Sequence, residues 1–352
     1  MNILVTGSSG LIGSEAVEYY DKQGHRVFGI DNNMRRVFFG PPGDTTWNQR
    51  RLEQATKNFS HHSIDIRDRE RLFSFFKEHH FDRVIHCAAQ PSHDKARDIP
   101  LIDFEVNAMG TLNVLEATRT FCMDAVFIHM STNKVYGDAP NELPMVELES
   151  RYEYARPEDS HGINEECRID RNLHSLFGAS KTAGDIVAQE YGRYFGMNVG
   201  VFRGGCLTGP SHSGVELHGF LSYLVHVAVA GKPYRVFGYK AKQVRDQIHS
   251  HDVIRAFEAF AESPRPGEVY NLGGGRENNA SVLECMELIR EISGYSVNWT
   301  YVDENRRGDH ICYVSDLRKL KRHYPAWGVT RSLRDIIAEM VAAEEQRSHH
   351  AD

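Results

Sequence analysis

The stretch Met1-Asn-Ile-Leu-Val-Thr-Gly-Ser-Ser-Gly-Leu-Ile-Gly13 decides how the rest of the chain is read. Residues 2–5 form a short apolar run that fits a buried strand, and a helical pattern begins at Leu11. Between the two fall Gly7, Gly10 and Gly13. Glycines at this spacing permit a tight turn and close backbone approach to a ligand, while the amides and dipole of the helix N-terminus attract a pyrophosphate. A second strand over residues 27–30 leads into Asp31, where a carboxylate can accept bonds from the hydroxyls of an adenosine ribose. Gly7, Gly10, Leu11, Ile12, Gly13, Asp31 and Asn32 are therefore the first candidates for holding a dinucleotide. Asp31 would repel a 2'-phosphate and favours NAD, although Arg35 and Arg36 follow closely enough to keep NADP open.

Downstream the same alternation continues. Helical stretches begin at Leu11 and cover 69–78, 103–118 and 178–195, and strands read at 83–86, 125–130 and 198–203. Such a rhythm demands parallel strands with right-handed helical crossovers. The fold class expected is α/β: a Rossmann-like doubly wound parallel sheet with a smaller mixed α/β substrate lobe. The first domain is placed at 1–203, with a return segment near 245–262, and the lobe at 204–345, with helices near 217–230, 281–292 and 332–344. Between Gly137 and Gly178 lies a polar stretch too long for an ordinary connection, read either as a functional loop or as a surface excursion. The tail 346–352 is expected to fray. At strand carboxyl ends, Asp65 and Ile66 fall where an adenine would lie, and Ala88, Ala89 and Gln90 where the middle of the dinucleotide would lie.

The 352 residues suit two cores. Their 41 basic and 48 acidic residues, net charge -7, contain no long single-sign block, which argues against a nucleic-acid surface. Six cysteines stand far apart without paired spacing, so neither a zinc cluster nor a disulfide framework is indicated, and no metal is expected. No apolar run reaches the ~20 residues of a membrane span, and the first residues lack the basic and hydrophobic regions of a signal peptide. A soluble cytoplasmic protein with no nucleic-acid or membrane partner is expected.

Taken in order, Thr6 to Gly13, His86-Cys-Ala-Ala, Asn107, Ser131-Thr-Asn-Lys-Val-Tyr-Gly, Gly178-Ala-Ser-Lys181, Val244-Arg-Asp246, Asn271-Leu-Gly-Gly-Gly and Arg306-Arg-Gly-Asp309 resemble the motifs of the extended short-chain dehydrogenases, the NAD-dependent epimerase and dehydratase group. The likeness covers nearly the whole chain. It is greatest to the branch of CDP-sugar 2-epimerases, through Ser131 to Asp138, Glu149-Ser-Arg-Tyr152, Leu173-His-Ser175 and Gln243-Val-Arg-Asp246. The resemblance implies NAD as cofactor, a nucleotide-diphosphate sugar as substrate and a homodimer. It adds Asn107 and Lys181 to the cofactor-binding residues, and it implies catalytic roles for Thr132 and Lys181.

In that group a Tyr four residues before the Lys removes a hydroxyl proton; here the position is Phe177, which has no titratable group. Three readings follow. Another group supplies the proton transfer, from among Lys134, Tyr136, Tyr152, Tyr154, His174 and Cys206, with Lys134 foremost; or Lys181 acts, its pKa lowered by desolvation; or the protein binds NAD and a sugar nucleotide as a non-catalytic regulator. The group's dehydratases carry an Asp-Glu pair where this chain has Asn133 and Lys134, which disfavours elimination. Epimerisation through a transient keto intermediate is expected, at C2 and next at C4, with a net oxidoreductase or dehydratase as alternatives. In the second lobe the resemblance implies that Arg245 and Arg307, or Arg306, hold the diphosphate, that Phe237 stacks on the base, and that Cys206 and Asp309 border the substrate with Thr132.

Overall fold

A computed structural model of the chain describes residues 1–349 except Leu217 and Arg307. The chain divides into two compact units. The first comprises Met1–Val135, Ser175–Arg203 and Val253–Tyr270; the second comprises Tyr136–His174, Gly204–Asp252 and Asn271–Asp352.

A seven-stranded sheet organises the first unit. Its strands are β1 (Asn2–Thr6), β2 (Arg26–Ile30), β3 (Phe59–His62), β4 (Arg83–His86), β5 (Val126–Thr132), β6 (Val199–Gly204) and β7 (Glu268–Leu272), in spatial order β7-β6-β5-β4-β1-β2-β3. β1 pairs in parallel with β2 and β4, β2 with β3, and β4 with β5. The order reverses after β3, so the crevice outside the carboxyl ends of β1 and β4 is the switch point at which ligands bind in open α/β sheets. β4 and β6 are buried along their whole length, as a sheet covered on both faces requires. One layer packs Leu4, Phe28, Phe76, Phe81, Val84, Phe127 and Val201. Another stacks Phe202 against Phe257, Phe260 and Tyr270.

Strand and helix positions follow the sequence reading within a few residues, with three differences. The helix expected over 103–118 is built of Pro100–Phe104, a wide π turn at Glu105–Gly110 and Thr111–Phe121. Between β2 and β3 the chain makes the helices Met34–Phe39 and Thr46–Ala55, neither of which was expected. The tail expected to fray from 346 continues the helix Leu333–His349; residues 350–352 lie outside those described.

The second unit packs Leu221, Leu224 and Val225 of the helix Phe220–Val229 against Cys285, Met286 and Ile289 of Val282–Ser293 and Ile336, Ile337 and Met340 of Leu333–His349. The strand Val244–His249 pairs in parallel with Cys206–Thr208 and Cys312–Tyr313 and antiparallel with Asn279–Ser281. Those bonds are why residues 244–252 belong to this unit, so that the chain returns to the first unit at 253–270 rather than near 245–262. The long polar stretch after Gly137 also belongs here, because its backbone bonds run to this unit's strands: Tyr152 N donates to Lys242 O at 2.9 Å and Ile163 N to Val314 O at 2.8 Å.

Candidate active site

The turn after β1 is held from both sides. Gly7 adopts a left-handed φ of 69°, and its N donates to Ile30 O at 2.7 Å. Gly13 lies against the turn so closely that a Cβ there would sit 2.1 Å from Gly7 O. Gly10 precedes the helix Leu11–Lys22 in extended conformation, leaving the first amides of that helix, Leu11 and Ile12 among them, without acceptors inside the helix. Asp31 caps the arrangement, accepting from Ser9 N at 3.0 Å and Asn33 N at 2.8 Å. Burial pushes its carboxyl up, and the two amide bonds pull it back. Ser8 and Ser9 are buried, and their hydroxyls have no hydrogen-bond partner among the described residues. A glycine cradle with no room for a Cβ, unclaimed buried hydroxyls and a carboxylate at the end of β2 are the donor and acceptor set that an adenosine pyrophosphate needs. NAD therefore fits the residues present. Arg36 is ion-paired to Asp44 at 2.8 Å, and Arg35 stacks over Phe39 at 4.9 Å.

The other candidate cofactor residues divide into two groups. Ala88 and Ala89 are half-buried at the exit of β4, where Ala88 N donates to Thr6 Oγ1 at 3.2 Å; Asn32 is exposed. Asp65, by contrast, is engaged by Arg67 at 2.7 Å, and Ile66 is core, its carbonyl accepting from Asn113. Gln90 and Asn107 are buried, and their amides bond to each other's segments: Gln90 N donates to Asn107 Oδ1 at 2.9 Å, and Asn107 Nδ2 to Gln90 O at 3.0 Å.

Ser175 starts the helix Leu176–Phe195 as its N-cap, accepting from Gly178 N at 3.1 Å. Phe177, the second residue of the helix, is buried, and four residues later Lys181 is buried too, with Nζ donating to Met130 O of β5 at 2.9 Å. Thr132 is half-buried at the end of β5, its Oγ1 accepting from Lys134 N at 3.2 Å; Lys134 is also half-buried. The first unit thus brings the end of β5 and the Phe177–Lys181 turn together. Burial lowers the Lys181 ammonium to about 8, against the opposing pull of Asp185, Cys87 and Asp103. Asp185 is itself bonded by Arg203 at 2.8 Å and by Ser131 Oγ at 2.5 Å. His86 and His129 stack at 5.4 Å in the same layer; burial and then Lys181 lower both, His86 to about 3. Thr111 Oγ1 donates to Asn107 O, so His86 Nε2 carries the proton it offers to Thr111, and its Nδ1 accepts from Thr6 Oγ1.

In the second unit Arg245 reaches Asp309 Oδ1 at 2.6 Å, and Arg306 lies over the Phe237 ring at 4.8 Å. Cys206 is half-buried and pairs in register with Gln247; Arg307 lies outside the described residues. Two of the proposed substitutes for the missing phenol are committed elsewhere. Tyr136 is fully buried and donates to Asn271 Oδ1 at 2.7 Å, and Tyr154 is buried, bonded to Cys312 O and Val314 N. Tyr152 and His174 are half-buried in this unit. Sequence reasoning missed Asp103, the Asp185–Arg203 pair and the two buried serine hydroxyls; only the serines, inside the glycine motif, carried a local signal.

A doubly wound sheet, a dinucleotide turn after its first strand and a threonine and lysine converging at the end of β5 define an enzyme of the extended short-chain dehydrogenase type. The chain belongs to the NAD dependent epimerase/dehydratase family, whose pattern matches residues 3–273, and NAD is the cofactor that family names. It is similar to CDP-paratose 2-epimerase of Salmonella typhi, 30% identical over 347 residues covering 97% of this chain and 98% of that one. It is also similar to dTDP-glucose 4,6-dehydratase 1 of Escherichia coli, 28% identical over 348 residues covering 92% and 87%. Among solved structures, a UDP-glucuronic acid 4-epimerase from Bacillus cereus, a Tyr-to-Phe mutant in complex with UDP-4-deoxy-4-fluoro-glucuronic acid and NAD, superposes with a TM-score of 0.80 at 26% identity, covering 99% of this chain and 100% of that chain.

Proposed function

We propose that this chain epimerises a nucleotide-activated sugar through a transient keto intermediate, with C2 as the reacting carbon and a CDP-sugar as the first substrate to test. The observation that carries the reading is the pairing of an NAD-competent turn with Lys181 and Thr132 at the end of β5. The Gly7–Gly13 turn and Asp31 would hold NAD, which when bound would supply reversible hydride acceptance at the sugar carbon. Thr132 orients the reacting hydroxyl. Lys181, buried and lowered to about 8, holds a neutral amine in part of the population just above neutrality and is the group we assign to accept the proton. Lys134, on the same turn as Thr132, is the alternative acceptor. Asn133 and Lys134 supply no carboxylate for expelling a hydroxyl, which favours epimerisation over dehydration.

Within the second unit, Arg245, ion-paired to Asp309, and Arg306 are the cations we propose for a diphosphate, and Phe237 offers the ring for a base. A homodimer through the helical stretches 103–118 and 178–195 belongs to the same reading: Phe104 is 46% and Tyr194 80% exposed there, as an interface between copies would need. The six cysteines are free thiols and no described helix is long and apolar enough to cross a membrane, in keeping with a cytoplasmic setting. A second reading, a regulator that binds NAD and a sugar nucleotide without turnover, is favoured by Phe177 alone. Purified protein with NAD, offered CDP-, UDP- and GDP-sugars and followed by NMR, separates the two: an epimer without net NADH supports catalysis, and binding without conversion across the panel supports the regulator.

A further inference from the structure

Beneath the Phe177–Lys181 turn runs a closed set of hydrogen bonds that joins the candidates Gln90 and Asn107 to two residues with no assigned role, Asp103 and Ser180. Asp103, 1% exposed, sits at its centre. One carboxylate oxygen accepts from Gln90 Nε2 at 2.7 Å and Asn107 Nδ2 at 3.0 Å, and the other accepts from Ser180 Oγ at 2.5 Å. Ser180 Oγ also lies 3.0 Å from Phe177 O, one turn back on the same helix. Four segments therefore meet on one carboxylate: the loop after β4, the helix Pro100–Phe104, the π turn Glu105–Gly110 and the first turns of Leu176–Phe195. A π turn inserted in a helix needs an outside reason to persist, and Asn107, inside it, is held by Gln90, Asp103 and Ser180 together. Among the described residues no guanidinium or ammonium bonds Asp103, whereas the charge of the neighbouring Asp185 is met by Arg203. Burying such a charge is costly unless its bonds are complete, and a complete network orients its members.

We infer that Asp103 is a positioning residue for the reaction: through Ser180 and Gln90 it ties the Phe177–Lys181 turn to the loop at residues 88–90. The inference rests on the reading of Lys181 as part of the reacting site. The charged and titratable groups facing Lys181 are Asp185 on its own helix, Cys87 and His86 from β4 and its exit, His129 from β5 and Asp103 itself.

The test uses the full chain with lysine labelled at Cε and Nζ, Lys181 being assigned by the resonance lost in Lys181→Arg, together with calorimetry of NAD binding. In Asp103→Asn the Lys181 midpoint is expected to fall by about one pH unit, because an attractive charge is lost, and NAD affinity by about ten-fold, because the loop at 88–90 is released. Ser180→Ala removes a donor and no charge; it should weaken NAD binding less and leave the Lys181 midpoint in place, which a merely structural role for Asp103 would not distinguish. Neither readout requires turnover, so a chain that converts no sugar but shows both effects keeps this inference and loses the epimerase reading. An unmoved midpoint and unchanged NAD affinity in Asp103→Asn overturn it. Should that variant fail to fold, Asp103→Glu decides: a retained midpoint with weakened NAD binding supports the role, and unchanged NAD binding refutes it.

Discussion

Replacing Gly13 by Ala should damage the turn after β1 more than any other single methyl group. The added Cβ would lie 2.1 Å from Gly7 O, 2.7 Å from Gly7 C and 2.8 Å from Ser8 Cα, all backbone atoms that cannot rotate away. Nor can Gly7 retreat, since its own Cβ position is 2.8 Å from Ala88 N on the far side. Relief must therefore come from sliding the helix Leu11–Lys22 off the turn, with loss of one or both of the bonds Gly7 N to Ile30 O and Gly10 N to Gly7 O. Overpacking costs about 1–3 kcal/mol and each lost bond about 1 kcal/mol, for a total near 2–5 kcal/mol. At about 0.7 kcal/mol per kelvin of unfolding entropy for 352 residues, the melting temperature should drop by about 3–7 °C. NAD affinity, which depends on those amides, should fall more than about ten-fold. Gly24→Ala is the control: Gly24 has a φ of 79° but nothing within 4 Å of a Cβ, so it adds backbone strain without touching NAD binding. Thermal unfolding and calorimetric NAD titration read both effects. A Gly13→Ala protein that binds NAD and melts like its parent would show that the turn is not the cradle described.

Phe177→Tyr places a phenol beside Lys181 and should raise turnover of any sugar the chain converts, within the roughly 10²–10⁴-fold range of general acid–base catalysis; equal or lower initial rates would mean that proton transfer already has a competent group. Lys181, lowered to about 8 in the fold, takes up fewer protons than the unfolded chain up to the ordinary lysine value of 10.5, so stability should rise with pH across that window and the cost of charging the buried amine should be felt below it. Unfolding titrations of Lys181→Met against the parent should therefore shift by about 3 kcal/mol in the parent's favour between pH 8 and 10.5, and a pH-independent difference would contradict the burial of the amine. Arg245→Met should weaken binding of a nucleotide-diphosphate sugar by about 10–100-fold while leaving NAD affinity alone, as calorimetry with each ligand would report.

The dinucleotide turn was legible because it is local: strand, glycine spacing and helix follow one another within thirteen residues, and Asp31 is one helix further on. The sheet was legible for a related reason, since strands buried on both faces are continuous apolar runs. What escaped depends on contacts far apart in sequence. The π turn at Glu105–Gly110 exists among partners at Gln90 and Ser180, and nothing in residues 103–118 announces it. The helix Thr46–Ala55 buries only Asn48 and Leu52, too thin an apolar stripe to read. The polar stretch after Gly137 gave no clue to its attachment, which lies in backbone bonds to Lys242 and Val314. At the site, Phe177 and Lys181 were placed on one helix face by their four-residue spacing, but the lowered ammonium required knowing that Lys181 is only 4% exposed. Tyr136 and Tyr154 looked available in sequence and are occupied in the fold.

Internal return of a hydride is the centre of the proposed function, and a CDP-sugar deuterated at the reacting carbon tests it most directly. The protein is incubated with that substrate and NAD in ordinary water, and the epimer is examined by NMR. Deuterium retained at the inverted carbon, with no NADH accumulating, is the expected result. Deuterium exchanged for solvent hydrogen would mean that the carbon is deprotonated rather than oxidised, and the assignment of NAD, Thr132 and Lys181 to one reaction would fall.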